Sequence, residues 1–135
     1  MTSVLVDSNI LLDISTDDPD WAPWSNEALQ NAGLQARLVI NPIIYAELSV
    51  GHSRVETLDA LLPANIFQRE ALPWSAAFLA GKAFLAYRRR GGSRRSPLPD
   101  FYIGAHAAIA GYRLLTRDKG RYATYFPTVD LISPA

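Results

Sequence analysis

Val4-Leu5-Val6-Asp7-Ser8-Asn9-Ile10-Leu11-Leu12 decides how this chain is read. An apolar run without polar alternation makes a strand buried on both faces. Asp7-Ser8-Asn9 then offers side-chain oxygens that cap a helix, and Ile10-Leu11-Leu12 begins one. Strands of that kind belong in a parallel sheet covered by helices on both sides. The same switch recurs at Leu38-Val39-Ile40, where Asn41 ends the strand and Pro42 takes the first helical position. Tyr112-Arg113-Leu114-Leu115 is a further strand, left through Thr116-Arg117-Asp118.

Working outward, a helix is predicted from about Trp21 to Ala32, capped by Asp20 and closed by Gly33. The helix after Pro42 carries Glu47 and stops near Gly51; another runs from about Arg54 to Leu62, capped by Ser53. Ile66 to Glu70 reads as a third strand. Ser75 to Arg90 makes a long helix with an apolar stripe of Phe78, Leu79, Ala83, Leu85 and Ala86, ended by Gly91-Gly92. Pro97 and Pro99 lead into a helix from Asp100 to Ala110, which Gly111 ends. A short helix near 119–125 and a last strand, Val129 to Ile132, complete the chain. The expected fold is a three-layer α/β/α domain over residues 1–135, with a central parallel sheet of four to five strands.

With 135 residues, the chain has room for one core and not two. Its 49% hydrophobic and 19% charged residues mark a folded globular protein. Without cysteine there is no disulfide, thiolate metal site or cysteine nucleophile. His52 and His106 are too few for a histidine-rich metal site, so any metal is expected to be a hard cation held by oxygens. No stretch approaches the ~20 apolar residues of a bilayer span, and the start is too short for a signal peptide. The expected location is therefore the cytoplasm.

The net charge of zero conceals an asymmetry. Arg88-Arg89-Arg90-Gly91-Gly92-Ser93-Arg94-Arg95 holds five of the 13 basic residues and no acid, leaving an acidic remainder. Such a segment suits a polyanion steered toward a carboxylate-lined site, and equally a solvated loop beside a helix C-terminus.

Asp7, Glu47, Asp100 and Asp118 each stand where an apolar stretch meets a turn or lies at or near a helix start. Singly, each has an ordinary reading: Asp7 and Asp118 as caps or turn residues, Asp100 at a helix N-terminus, Glu47 on a solvated helix face. Jointly they fall near the carboxyl ends of parallel strands, where ligands collect. Four carboxylates within ~5 Å would repel by about 3 kcal/mol per close pair at an effective dielectric near 20. A cation, or partial protonation, must offset that. Mg²⁺ or Mn²⁺ fits. His52 and His106 read as structural residues. A Ser-His-Asp triad built on Ser8 or Ser49 is conceivable, but no nucleophile-elbow pattern supports it.

The motifs resemble those of PIN domains. Residues 4–13 look like that family's opening motif, and Asn41-Pro42-Ile43-Ile44-Tyr45-Ala46-Glu47-Leu48 like its second. Leu98-Pro99-Asp100-Phe101-Tyr102-Ile103-Gly104-Ala105-His106-Ala107 is similar to the third, and Leu114-Leu115-Thr116-Arg117-Asp118 to the fourth. The small size is most similar to VapC-type toxins of toxin–antitoxin pairs. That resemblance implies an Mg²⁺- or Mn²⁺-dependent endoribonuclease acting on RNA (transfer RNA being one option), restrained by a VapB-type antitoxin and homodimeric.

Carried over by motif, Asp7, Glu47, Asp100 and Asp118 form the catalytic quartet, with Asp7, Asp100 and Asp118 on the metal. Asn9 and Thr116 are the supporting polar residues, and Arg94 and Arg95 would grip flanking phosphates. Phe101-Tyr102 is bulkier than the family pattern, and His106 stands where small residues are common. Trp21, Trp24 and Leu29 form either an antitoxin groove or part of the core. Two competing classes are a phosphoacceptor domain, which would need a lysine after the last strand that Val129 to Ala135 does not have, and a catalytically inactive PIN-like binding module.

Overall fold

The computed structural model describes residues 2–135. Strand β1 (Ser3–Val6) leads into α1 (Ser8–Ser15) and α2 (Ala22–Gln35). Strand β2 (Arg37–Ile40) is followed by α3 (Pro42–Ser49) and α4 (Val55–Leu61), then β3 (Phe67–Arg69). Helices α5 (Trp74–Arg89) and α6 (Pro99–Ala110) precede β4 (Arg113–Leu115), and α7 (Gly120–Tyr125) precedes β5 (Leu131–Ile132).

All five strands are parallel, in the order β3-β2-β1-β4-β5. The chain builds outward from β1 through β2 to β3, then crosses back to lay β4 on the other side of β1. That reversal opens a crevice at the carboxyl ends of β1 and β4. Leu5 pairs with Val39 on one side and Leu114 on the other, and Val4, Leu5 and Val6 are fully buried. A central parallel strand has no solvent face, which is why its residues are uniformly apolar. The expected α/β/α architecture and parallel sheet hold, with the upper strand count.

Local chemistry sets the element ends nearest the crevice. Asp7 is the N-cap of α1 and accepts from Ser8 N (2.7 Å). Asn41 caps α3 through Ile44 N (3.0 Å), with Pro42 at the first position. Gly111 ends α6 in the left-handed region, φ 71°, which glycine adopts at no steric cost. Gly104 is needed for a different reason. A Cβ there would lie 2.4 Å from the Phe126 ring, so the α6 backbone could not approach the segment after α7.

Several expected boundaries are corrected. Asp20 does not cap α2. Asp18 Oδ1 takes both the Asp20 and Trp21 amides (2.9 Å each), and the helix begins at Ala22 without a side-chain cap. Gly33 does not close it either; the helix runs to Gln35, with Gly33 facing Leu38 of β2. Ser53 gives way to Arg54 as the residue before α4, with no side-chain cap. Strands β3 and β5 are shorter than the apolar runs suggested. The stripe of α5 differs in part: Ala83 is buried and Leu79 packs against the core as expected, but Ala76 and Ala80 complete the buried face, whereas Phe78 and Leu85 are exposed. Small residues let α5 lie close to α6, and Phe84 and Tyr87 reach around to pack edge-on against Phe101.

Candidate active site

Asp7 leaves β1 at the crevice and is 4% exposed. Its backbone amide still bonds Leu115 O of β4 (2.9 Å), so the carboxylate is fixed between the two strands. Oδ1 accepts from Ser8 N. Oδ2 accepts from Thr116 Oγ1 (2.9 Å) and the Tyr122 hydroxyl (2.9 Å), with Asn9 Nδ2 at 3.5 Å. Burial raises the Asp7 pKa above the ordinary carboxylate value; the Tyr122 and Thr116 hydrogen bonds pull it down and the Asp100 charge pushes it up again.

Glu47 is half-buried and accepts from Ser8 Oγ (2.8 Å), which ties α3 to the start of α1. Its pKa is raised by burial, lowered by the Ser8 bond, and raised further by the charges of Asp7 and Asp100. Asp100, in the first turn of α6, pairs with Arg121 Nη1 (3.3 Å). Three of the four expected acids therefore share one electrostatic neighbourhood. Asp118 does not join it by its side chain. Its carboxylate is exposed and turns back to accept from Gly120 N (3.1 Å) at the start of α7, while its main chain meets Thr116 Oγ1.

Asn9 and Thr116 stand beside Asp7 as supports. Asn9 Nδ2 donates to Thr116 Oγ1 (3.1 Å), and Asn9 Oδ1 accepts from Arg117 N (3.1 Å). Arg94 and Arg95 are exposed in the segment between α5 and α6, where Arg94 O accepts from Arg88 (2.6 Å).

Three contributors escaped the sequence reading. Ser8 serves as a bridge between two acids, not as a nucleophile. Tyr122 is 2% exposed and lies 115 residues from Asp7; nothing local flags it. Its own pKa is held far up by burial and by the surrounding carboxylates. The third is an anchor beneath the fourth motif. Arg117 grips buried Asp13 with two bonds, Nε to Oδ2 (2.8 Å) and Nη2 to Oδ1 (3.0 Å), and Ser25 Oγ adds a third (2.7 Å). The same guanidinium lies 5.3 Å from the Trp21 ring centre, and Trp21 meets Trp24 edge-on at 6.4 Å. Both tryptophans thus have intramolecular partners, while Leu29 lines a separate apolar cavity of about 210 Å³ with Leu11, Ile14, Leu61 and Leu62.

The chain matches the PIN domain family model over residues 4–127. It belongs to the PIN domain family. The structure of VapBC2 from Rickettsia felis bound to a DNA fragment from its promoter is similar, with a TM-score of 0.75 at 17% identity, covering 99% of this chain and 100% of that one. VapBC-1 from nontypeable Haemophilus influenzae gives 0.74 at 18%, with 98% of both chains covered. A toxin–antitoxin complex from Klebsiella pneumoniae gives 0.71 at 22%, again over 98% of each. At these identities the likeness is one of fold. No curated protein matches the chain in sequence.

The donor chemistry of this PIN domain fits a hard divalent cation. The charge of Asp100 adds to burial in raising the proton affinity of Asp7 and Glu47, and Arg121 pairs with Asp100. As they stand, among the described residues no three acids or histidines are gathered closely enough to enclose one ion.

A pH dependence follows. A carboxyl group whose folded pKa is raised contributes stability at pH below its unfolded value and loses it as pH climbs through the folded one. From Asp7 and Glu47, metal-free protein should therefore become less stable to heat as pH rises above the ordinary carboxylate values of 3.8 and 4.5 and through the raised folded ones. Millimolar Mg²⁺ or Mn²⁺ should reverse that loss, by about 2.7 kcal/mol at 100 times its dissociation constant. Thermal melts at several pH values, with and without cation, measure both. A melting temperature indifferent to cation at neutral pH would remove the metal from this site.

Proposed function

We propose that this PIN domain is a Mg²⁺- or Mn²⁺-dependent endoribonuclease and the toxin of a VapBC-type toxin–antitoxin pair. The observation that carries the reading is that Ser8 joins Asp7 to Glu47 at the carboxyl end of β1, with Asp100 near enough for its charge to act on both. Asn9, Thr116, Ser8 and Tyr122 orient the first two. Asp7 and Asp100 would hold the cation, with Asp118 joining from the rim and Glu47 as the acid left to manage a proton. A bound divalent cation supplies charge neutralisation at a phosphate and a more acidic water.

The residues of the chain supply the rest. Glu47, its pKa raised by burial and its Oε1 held by Ser8, is suited to accept a proton. Tyr122 and Thr116 keep Asp7 from rotating. Arg121, now on Asp100, can turn to a phosphate once the acid is otherwise neutralised.

Cleavage of total RNA with Mg²⁺, with Mn²⁺ and with EDTA tests the reading. Cation-dependent fragments support it. The alternative, a catalytically inactive PIN-like binding module, is favoured by the Arg121–Asp100 pair and by the outward turn of Asp118; it predicts RNA binding without fragments under every condition.

Partners follow the same reading. The cavity lined by Leu11, Ile14, Leu29, Leu61 and Leu62 is suited to apolar side chains of a VapB-type antitoxin segment. Trp74, 92% exposed, and Phe78, 69% exposed, form with Leu85 an apolar face on α5 for a second copy in a homodimer. None of the described helices is long and apolar enough to cross a membrane, and the cytoplasm, where RNA and antitoxin would meet the enzyme, is the proposed location.

Arg94 and Arg95 are proposed to hold phosphates of the RNA, transfer RNA being one candidate substrate. Replacing both by alanine should weaken RNA binding by a similar factor for all sequences. It should also flatten the log–log salt dependence by about 1.4, at ~0.7 per phosphate contact on a single strand. Binding titrations of the double variant at several salt concentrations measure this; an unchanged slope would take both arginines off the RNA.

A further inference from the structure

Asn41 and His106 are 2% and 1% exposed, and each belongs to a helix that carries a site acid. Asn41 caps α3, which bears Glu47; His106 lies in α6, which starts at Pro99 beside Asp100. Because Asn41 Oδ1 accepts from Ile44 N, its amide can face only one way. Nδ2 points at His106 Nδ1, 2.9 Å away. An amide nitrogen only donates, so Nδ1 must offer a lone pair and the imidazole carries its proton on Nε2. That nitrogen lies 3.5 Å from Glu70 Oε1. An imidazolium would set N–H against N–H at Asn41.

We propose that the Asn41–His106 hydrogen bond is a positioning element, in which neutral His106 holds the cap of α3, and Glu47 with it, in register with Asp100. Protonation of His106 releases the cap. The effect on cleavage rests on the nuclease reading above; the link itself does not.

The groups facing the imidazole agree with a neutral ring. Glu70, just past β3, is the charged neighbour, and Tyr112, leading into β4, has its ring centre 5.9 Å away. The Tyr112 hydroxyl sits 2.8 Å from both Glu70 oxygens, which spends part of that carboxylate on another donor. Burial lowers the His106 pKa and outweighs the pull of Glu70. With the folded pKa below the unfolded 6.5, the link's contribution is present above 6.5 and disappears as pH falls through the folded value.

Two measurements test this. The first follows the His106 ring nitrogens and the Ile44 amide by NMR across pH. As His106 takes up its proton, hydrogen exchange at Ile44 should speed by about tenfold beyond the intrinsic pH effect. In His106→Gln, whose carbonyl accepts from Asn41 without titrating, Ile44 should stay protected throughout.

The second separates positioning from folding. Asn41→Ser keeps a cap but cannot reach His106, and should lower kcat about tenfold with KM within about twofold, while His106→Gln stays close to the parent. Asn41→Ser combined with His106→Ala should be no worse than His106→Ala alone. Ile44 protection that ignores the His106 titration would overturn the proposal, as would additive losses in the double variant. The exchange measurement reads the link whether or not the chain cleaves RNA, so failure of the nuclease reading shows separately.

Discussion

Asp7→Asn should abolish cation-dependent RNA cleavage, by about 10³-fold or more, while leaving the fold intact or slightly firmer. The two halves of that expectation have one cause. Asp7 is a buried carboxylate whose charge is opposed by desolvation and by Asp100, and is offset only in part by Tyr122, Thr116 and Ser8. Asparagine removes the charge and keeps the shape. Its carbonyl can still accept from Ser8 N, and the two hydroxyls at Oδ2 can rotate to accept from the new amide. The variant's melting temperature in the absence of cation should therefore equal or exceed the parent's, and the cation-induced rise should disappear. Cleavage assays and paired thermal melts check both. Full activity in a folded Asp7→Asn protein would end the assignment of this crevice as the active site.

Arg117→Met should cost about 3 kcal/mol of stability, the largest loss expected from any single change near the site. Removing the guanidinium leaves the Asp13 carboxylate, 2% exposed, with Ser25 Oγ as its remaining side-chain donor. The low end of the usual range applies because the Arg117 side chain is 30% exposed and water can partly follow. Methionine retains most of the stem that covers Trp21. The pair's logic can be checked against itself: Asp13→Leu placed in the same chain removes the stranded charge and should recover most of the loss. Urea denaturation of the parent, the single variant and the double variant gives the three numbers. A single variant within 1 kcal/mol of the parent would show that the bidentate contact is not holding the fourth motif.

Activity should fall in Arg117→Met as well, through geometry and not through contact. Arg117 N bonds Asn9 Oδ1, and the turn it anchors carries Thr116 onto Asp7. A loosened turn blurs the placement of Asp7 even though Arg117 is turned toward Asp13 and away from the crevice.

The acids were legible at the level of backbone position. Asp7, Glu47 and Asp100 interrupt or follow apolar runs that have to be strands or helix starts, so their location near strand ends follows from local chemistry. What those runs do not contain is the direction of a carboxylate. Asp118 sits where expected along the chain, yet its oxygen finds Gly120 N two residues on and turns outward. Short-range hydrogen bonding by aspartate competes with any long-range use of the same group.

The helix boundaries that differ do so for a similar reason. Asp18, not Asp20, captured the free amides at the entry to α2, and Gly33 stayed inside the helix, without the positive φ by which Gly111 ends α6. In α5, hydrophobicity pointed to Phe78 and Leu85 along with Ala83, but the interior took Ala76 and Ala80 with Ala83, since close approach of two helices rewards small residues.

By itself the amino-acid order determined the parallel α/β plan, the identity of four acids at its turns, and the exclusion of thiolate and histidine-rich chemistry. Each of these is a local property of pattern or composition. Only the folded chain decided which groups meet: Tyr122 on Asp7, Arg117 on Asp13, Ser8 on Glu47, Asn41 on His106. Those contacts join residues far apart in sequence, and their existence depends on strand order and helix packing, which no stretch of a few residues encodes.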